Sequence, residues 1–188
     1  MAVDDHSRLA YTAMYPNEKA ASSIDFLQRA AAWFALFDIH VRGVLTDNGP
    51  CFYRLQFGGA CQKLNIHHRR TRPYRPQTNG KAERFIQTAL REWAYARRYE
   101  TSAQRPQHLQ PWTHQYNWHR PHAALNLLPP VTRSGLDDNN LLRHHRAQFG
   151  PVSARLKSCP DTKPLFRRVF PHAVCQSTAD VKHLVVVP

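Results

Sequence analysis

Asp47 and Glu83 are the residues whose type and spacing could do chemistry. Thirty-five residues separate them, and no other Asp or Glu lies between. Asp47 belongs to "VLTDNG", an apolar strand running into an Asn-Gly turn. Glu83 belongs to "TRPYRPQTNGKAERF", at the start of a helix that follows a stiff polar loop. A carboxylate at the C-terminal end of a strand and another on a helix's first turn could both reach one point above a sheet. Hard oxygen donors in that arrangement suit Mg²⁺, which takes one or two carboxylates and fills its octahedron with water and phosphate oxygens. A pair of such ions activates an attacking oxygen and stabilises a leaving one in in-line phosphoryl displacement. Three carboxylates are the usual minimum for an ion pair, and here two can be counted. The competing reading is structural: an Asp often ends a strand, and Glu83 can pair with Lys81 or Arg84 instead.

The elements that must hold these acids are legible upstream and downstream of them. "MAVDDHSRLAYTAMYP" reads as two short strands around a polar turn at Asp4 to Arg8, closed by Pro16. Asn17 is placed to cap the next helix, with Glu18 in its first turn. Ala20, Ile24, Leu27, Ala31 and Phe34 then form one stripe at helical spacing. Phe26, Trp33 and Phe37 form a second stripe, which is either another buried side within the domain or a contact between copies. A strand through "IHVRGVLTDNG" delivers Asp47, and a short helix around Tyr53 to Leu64 leads to a strand near Ile66 to Thr71. In "RPYRPQTNG" two prolines stiffen the loop and Gly80 lets it turn.

The next helix runs from about Lys81 to Tyr99. On a wheel of about 100° per residue, Ala82, Phe85, Ile86, Ala89, Trp93 and Ala96 share its buried side. Arg84, Arg91 and Arg98 share the opposite side, and Glu83 falls on the border. "YNWHRPHAAL" ends a further helix at Pro121. From about Ala147 the patterning fades to one weak terminal strand.

Net charge sharpens this reading. Residues 1–62 carry −1, residues 63–147 carry +10 and residues 148–188 carry +4, for +13 over 188 residues. A neutral segment joined to a basic one suggests a fold with one face turned toward a polyanion. Arg69, Arg70, Arg72, Arg75, Lys81, Arg84 and Arg91 are the candidates to hold DNA through its phosphates, without sequence preference. No large Phe/Leu face opposes these arginines and no apolar run approaches a membrane span, so a membrane partner is not expected. The acidic N-terminus does not read as an export signal. The four cysteines lack CxxC pairing and fit a reduced cytoplasm. The twelve histidines lack ligand spacing for zinc.

"LTDNGPCFY" followed by "HHRRTRPYRPQTNGKAERFIQTALREWAY" closely resembles the catalytic core of bacterial insertion-sequence transposases related to retroviral integrases, the DDE recombinases. "DDHSRLAY", "YNWHRPHAAL" and "NNLLRHH" resemble the same family in the same order, so the likeness covers about residues 2 to 145. It implies an α/β, RNase H-like fold, a mixed five-stranded sheet flanked by helices. It places the family's second catalytic acid on Asp47 and its final one on Glu83, both as ligands of Mg²⁺ or Mn²⁺. It sets the flexible loop at Pro76 to Gly80, with Tyr74, Gln77, Asn79 and Lys81 near the DNA end. The implied partners are element ends and target DNA in a bacterial, nucleoid-associated setting, with the chain self-associating or pairing with an intact transposase.

The departures shape the expected organisation. The family's first catalytic Asp lies on a strand ahead of the opening hairpin, and this sequence lacks that strand. Asp4 and Asp5 match hairpin-turn acids instead. Met1 is therefore expected not to be the ancestral start. A truncated integrase-like core is expected over 1–125, a family-like extension over 126–147 and an unassigned basic, disordered tail over 148–188. The tail reads like translation past a frameshift, or a genuine appendage. Two functions follow: metal-dependent DNA cleavage and strand transfer, impaired by the lost acid, or a catalytically inactive remnant that binds DNA. Loss of the first strand also leaves a sheet edge that something else must cover.

Overall fold

A computed structural model describes residues 1–72, 80–101 and 103–136, together with the backbone of a strand at Lys182–Val186. The chain opens with a hairpin, β1 (Ala2–Asp4) and β2 (Ala10–Tyr11). Its turn is closed by Asp4 N–H to the Leu9 carbonyl at 2.8 Å and Arg8 N–H to the Asp4 carbonyl at 3.0 Å. Helix α1 (Ala20–Ala35) leads to β3 (Val41–Thr46), and α2 (Pro50–Tyr53) and α3 (Leu55–Lys63) cross back to β4 (His67–Arg70). Helix α4 (Gly80–Ala89), a π-helical turn (Leu90–Ala94) and α5 (Gln104–Trp118) follow. The last strand, β5, is Lys182–Val186.

The expected mixed sheet flanked by helices is present, in the order β2-β1-β5-β3-β4. Its centre is made by the far end of the sequence. Strand β5 runs antiparallel to β1, with Ala2 opposite Val186 and Asp4 opposite Leu184. It runs parallel to β3, with Val44 beside Leu184 and Thr46 beside Val186. Without it, β1–β2 and β3–β4 would be two separate two-stranded ribbons, which are marginal alone in water. The edge that the sequence left open is thus covered from within the chain.

Alternation along the short strands sends apolar groups to both faces. Ala2, Leu9 and Val44 join Leu27, Phe34 and Phe57 in one core, against α1 and α3. Val3 and Ala10 join Phe85 and Tyr116 in the other, against α4 and α5. Phe26 and Phe37 are buried in the first core, and Trp33 rests between Tyr11, Phe34 and Phe37. The second stripe of α1 is therefore packed inside its own fold. Strand β2 ends the sheet, and Asn117 from α5 covers its backbone. The Asn117 side-chain amide donates to the Ala10 carbonyl at 2.8 Å and accepts from Ala10 N–H at 2.9 Å, as a neighbouring strand would.

Three local expectations need correction. Helix α1 begins at Ala20, behind Lys19. Asn17 instead organises the turn ahead of it, its Oδ1 accepting from Lys19 N–H at 3.1 Å and from the Ser22 hydroxyl at 2.9 Å. The segment after Asp47 is two helices, because Arg54 takes an extended conformation (ψ 136°) between them. The α4 wheel holds only to residue 89. The π turn, with Tyr95 N–H bonding the Leu90 carbonyl at 2.8 Å, inserts an extra residue into the ladder. That rotation buries Trp93 and Ala94 and leaves Ala96 exposed.

Candidate metal and nucleic-acid site

Asp47 leaves the end of β3 half-buried. Gly49 N–H donates to its Oδ1 at 2.9 Å, which fixes the carboxylate's orientation. A Cβ on Gly49 would stand 3.0 Å from that oxygen, so glycine permits the approach. Asp47 Oδ2 has no hydrogen-bond partner among the described residues. The neighbouring Asn48 ties this loop to the next segment, donating to the Thr71 carbonyl at 3.1 Å, while Thr71 N–H bonds the Thr46 carbonyl at 2.9 Å. Beneath it, Thr46 Oγ1 meets His68 Nε2 at 2.9 Å. Burial, and secondarily the Arg70 charge, lower the His68 pKa and favour a neutral ring.

Glu83 lies on the first turn of α4, exposed. Among the described residues it pairs with neither Lys81 nor Arg84. Lys81 is taken by Asp5, with Nζ 2.5 Å from Oδ1. Phe85, two residues on, packs against Tyr116 in the core that also holds Val3. The helix carrying Glu83 thus lies over β1, while Asp47 ends β3, with β5 between the two strands. Adjacent strands are about 4.8 Å apart, so the two carriers are separated by about 10 Å across the sheet.

The remaining acids of the opening turn are engaged. Asp4 is buried, its Oδ2 accepting from Ser7 N–H at 2.8 Å and from the Ser7 hydroxyl at 2.5 Å. Asp5 holds Lys81 and faces Arg8 at 3.8 Å. Among the described residues no group of three or more His, Cys, Asp or Glu side chains could hold a metal together. The donor set that fits Mg²⁺ or Mn²⁺ is two hard carboxylates with unfilled oxygens, the rest of the shell being water and phosphate.

Of the expected DNA contacts, Arg84 and Arg91 are exposed, and Lys81 is exposed but ion-paired. Arg70 stacks its guanidinium 4.1 Å from the Tyr53 ring centre, and Arg69 and Arg72 are exposed. Tyr74, Arg75, Gln77 and Asn79 lie outside the described residues. The sequence reading missed Arg8, Arg120 and His122, which gather beside α4. The signal for Arg120 and His122 was "YNWHRPHAAL", a motif noted without a role for its arginine or second histidine, and Arg8 stood in "DDHSRLAY".

Two family models, each described as "Integrase core domain", match the chain over residues 1–76 and 64–130. A protein of Spiroplasma virus SpV1-C74, "Putative integrase ORF3", is 28% identical over 141 residues, 68% of this chain and 39% of that protein. An uncharacterized protein of Caenorhabditis elegans is 30% identical over 93 residues, 48% of this chain and 7% of its own length. The chain therefore spans well under half of these sequence relatives. Among solved structures, the catalytic core domain of BIV integrase aligns with a TM-score of 0.52 at 23% identity, covering 76% of this chain and 84% of that one. A chain of the simian T-cell lymphotropic virus intasome, in complex with PP2A regulatory subunit B56 gamma, aligns with a TM-score of 0.57 at 20% identity, covering 70% and 46%. The two integrase-core matches each cover less than half of the chain and together reach residue 130, and the fold is the RNase H-like fold of the retroviral integrase catalytic cores.

Proposed function

We propose that this chain derives from a bacterial insertion-sequence transposase, and that its function is DNA strand cleavage and strand transfer by metal-dependent phosphoryl transfer. The observation that carries the reading is a pair of carboxylates, Asp47 and Glu83, with unfilled oxygens on an integrase core, beside a basic surface. Asp47 and Glu83 would hold Mg²⁺ or Mn²⁺, which when bound supplies charge stabilisation at the reacting phosphate. The chain's own groups do the positioning. Gly49 N–H holds Asp47 in one orientation, and the Asp5–Lys81 pair anchors the first turn of α4. Arg75, Arg84 and Arg91, with Tyr74, Gln77, Asn79 and Lys81 assigned by resemblance, would hold the DNA backbone. The setting consistent with this chemistry is the bacterial nucleoid, with DNA ends and a second transposase copy as partners. Among the described residues no helix is long and apolar enough to cross a membrane.

One observation favours the second reading, an inactive DNA-binding remnant. The strand beside β3 is Lys182–Val186, and none of its five residues is acidic. The central strand thus brings no third carboxylate to Asp47 from its described residues. The test is a supercoiled-DNA nicking assay with Mg²⁺ and with Mn²⁺. Nicking that vanishes in both Asp47→Asn and Glu83→Gln supports the enzyme. Salt-sensitive DNA binding that both variants retain, without nicking in the parent chain, supports the remnant.

A further inference from the structure

Beside α4, away from Asp47, lies a cleft of about 490 Å³ walled by the hairpin turn, α4 and the end of α5. Arg8, Lys81, Arg84 and Arg120 line it, with His122 and Tyr116. Its cations outnumber the acids that face them. Asp5 engages Lys81 and Arg8, and Glu92 engages Arg120. Arg84 has no acidic partner among the described residues.

Two nitrogens in this wall are buried without a hydrogen-bond partner, Arg8 Nη1 and His122 Nε2. Buried polar atoms in native folds are nearly always satisfied, so two orphans on one cleft call for an acceptor. Arg8 reaches it from a left-handed backbone conformation, φ 67°, which a non-glycine residue rarely adopts and which tends to persist at ligand sites. A Cβ placed on Gly80, at the cleft's rim, would meet no heavy atom within 4 Å, so the space above it is open. Burial, then the Arg120 and Arg8 charges, lower the His122 pKa to about 4. Its ring is thus neutral at pH 7 and can offer one N–H.

We propose that this cleft is a phosphate-recognition site, in which Arg8, Arg84 and Arg120 supply charge-assisted donors and His122 Nε2–H supplies a neutral one. Arginine's planar fork suits a tetrahedral oxyanion, and the cleft holds three. The ligand is one phosphate group, either a phosphodiester of bound DNA or free phosphate. The DNA source rests on the function proposed above, whereas the site itself does not.

The test uses the full chain with ¹⁵N-labelled histidine, titrated in inorganic phosphate and in chloride at equal ionic strength. Phosphate should raise the His122 pKa from about 4 toward its ordinary value, because the anion offsets the two arginines. Calorimetry should show phosphate affinity falling severalfold in Arg120→Gln and in Arg84→Ala, the latter on an exposed side chain whose loss the fold tolerates. A His122 titration identical in the two salts, or phosphate binding unaltered in both variants, overturns the site. Duplex DNA without free phosphate separates the sources. The same His122 shift, with the log–log salt slope of DNA binding reduced by about one in Arg84→Ala, assigns the phosphodiester. A shift with inorganic phosphate alone assigns free phosphate. Either result stands whether or not Asp47→Asn changes nicking, so failure of the site and failure of the enzyme reading are told apart.

Discussion

The protein holds two pairs of acids, and their fates differ. Asp4 and Asp5 share the hairpin turn, and both are engaged within the protein: Ser7 donates twice to one oxygen of buried Asp4, and Lys81 pairs with Asp5. Asp47 and Glu83 lie far apart in sequence, yet among the described residues each keeps oxygen capacity unused. Asp47 gives one oxygen to Gly49 and Glu83 gives none. A carboxylate already accepting strong hydrogen bonds or neutralised by a lysine gains little from a cation, whereas an unfilled one gains a great deal. The difference teaches that adjacency in sequence is a poor guide to a metal site, and that unspent bonding capacity is a better one.

The sharpest way to break this comparison is to cut the connection between the pairs. Strand β5 joins β1, which carries Asp4, to β3, which ends at Asp47. Proline at its middle removes a ladder N–H and costs about 3 kcal/mol or more. Leu184→Pro should therefore abolish cooperative unfolding, read by thermal or urea denaturation. A transition as sharp as the parent's would mean that β5 does not hold the sheet together.

Next in size is the first pair itself. Asp4→Ala leaves two Ser7 donors unsatisfied in a buried turn and should cost about 1–3 kcal/mol in urea unfolding, with Mg²⁺ affinity unchanged. Loss of metal binding in a stably folded Asp4→Ala would return that acid to the candidate site.

Acid stability distinguishes carboxylates from histidine. His122 has a folded pKa of about 4 against an ordinary value of 6.5. Between these values the unfolded chain binds more protons, so stability falls as pH drops through 6.5 and this loss levels off below 4. His122→Phe should flatten the decline in that window. A decline of unaltered slope would assign it to other groups.

The smallest expected stability effect belongs to the second pair. Glu83→Gln, at an exposed side chain, and Asp47→Asn, whose amide oxygen can still accept from Gly49 N–H, should each change unfolding free energy by no more than about 0.5 kcal/mol. Each should nonetheless weaken Mn²⁺ or Mg²⁺ binding measured by calorimetry. Destabilisation of both by several times that amount would show that they are structural acids after all.

Much of the architecture was legible because local rules were obeyed. Alternation placed β3, the apolar stripes placed α1, and the wheel placed the inward face of α4 through residue 89. The wheel failed after that because a π turn is an extra residue in the ladder, invisible to a fixed period. Asn17 looked like a helix cap by type and position, yet its side chain bonds within the turn before the helix.

By itself, the sequence determined that Asp47 ends a strand, that Glu83 opens a helix and that a basic face lies beside them. These follow from periods of two and 3.6 residues and from charge, which are local properties. Only the tertiary structure decided which acids remain free, since that depends on whether Ser7, Lys81 or Gly49 comes within hydrogen-bond reach. It also decided that Lys182–Val186 forms the sheet's centre and that Arg8, Arg84, Arg120 and His122 share one cleft. Strand pairing and convergence of charges join residues far apart along the chain, and no local pattern encodes which of them will meet.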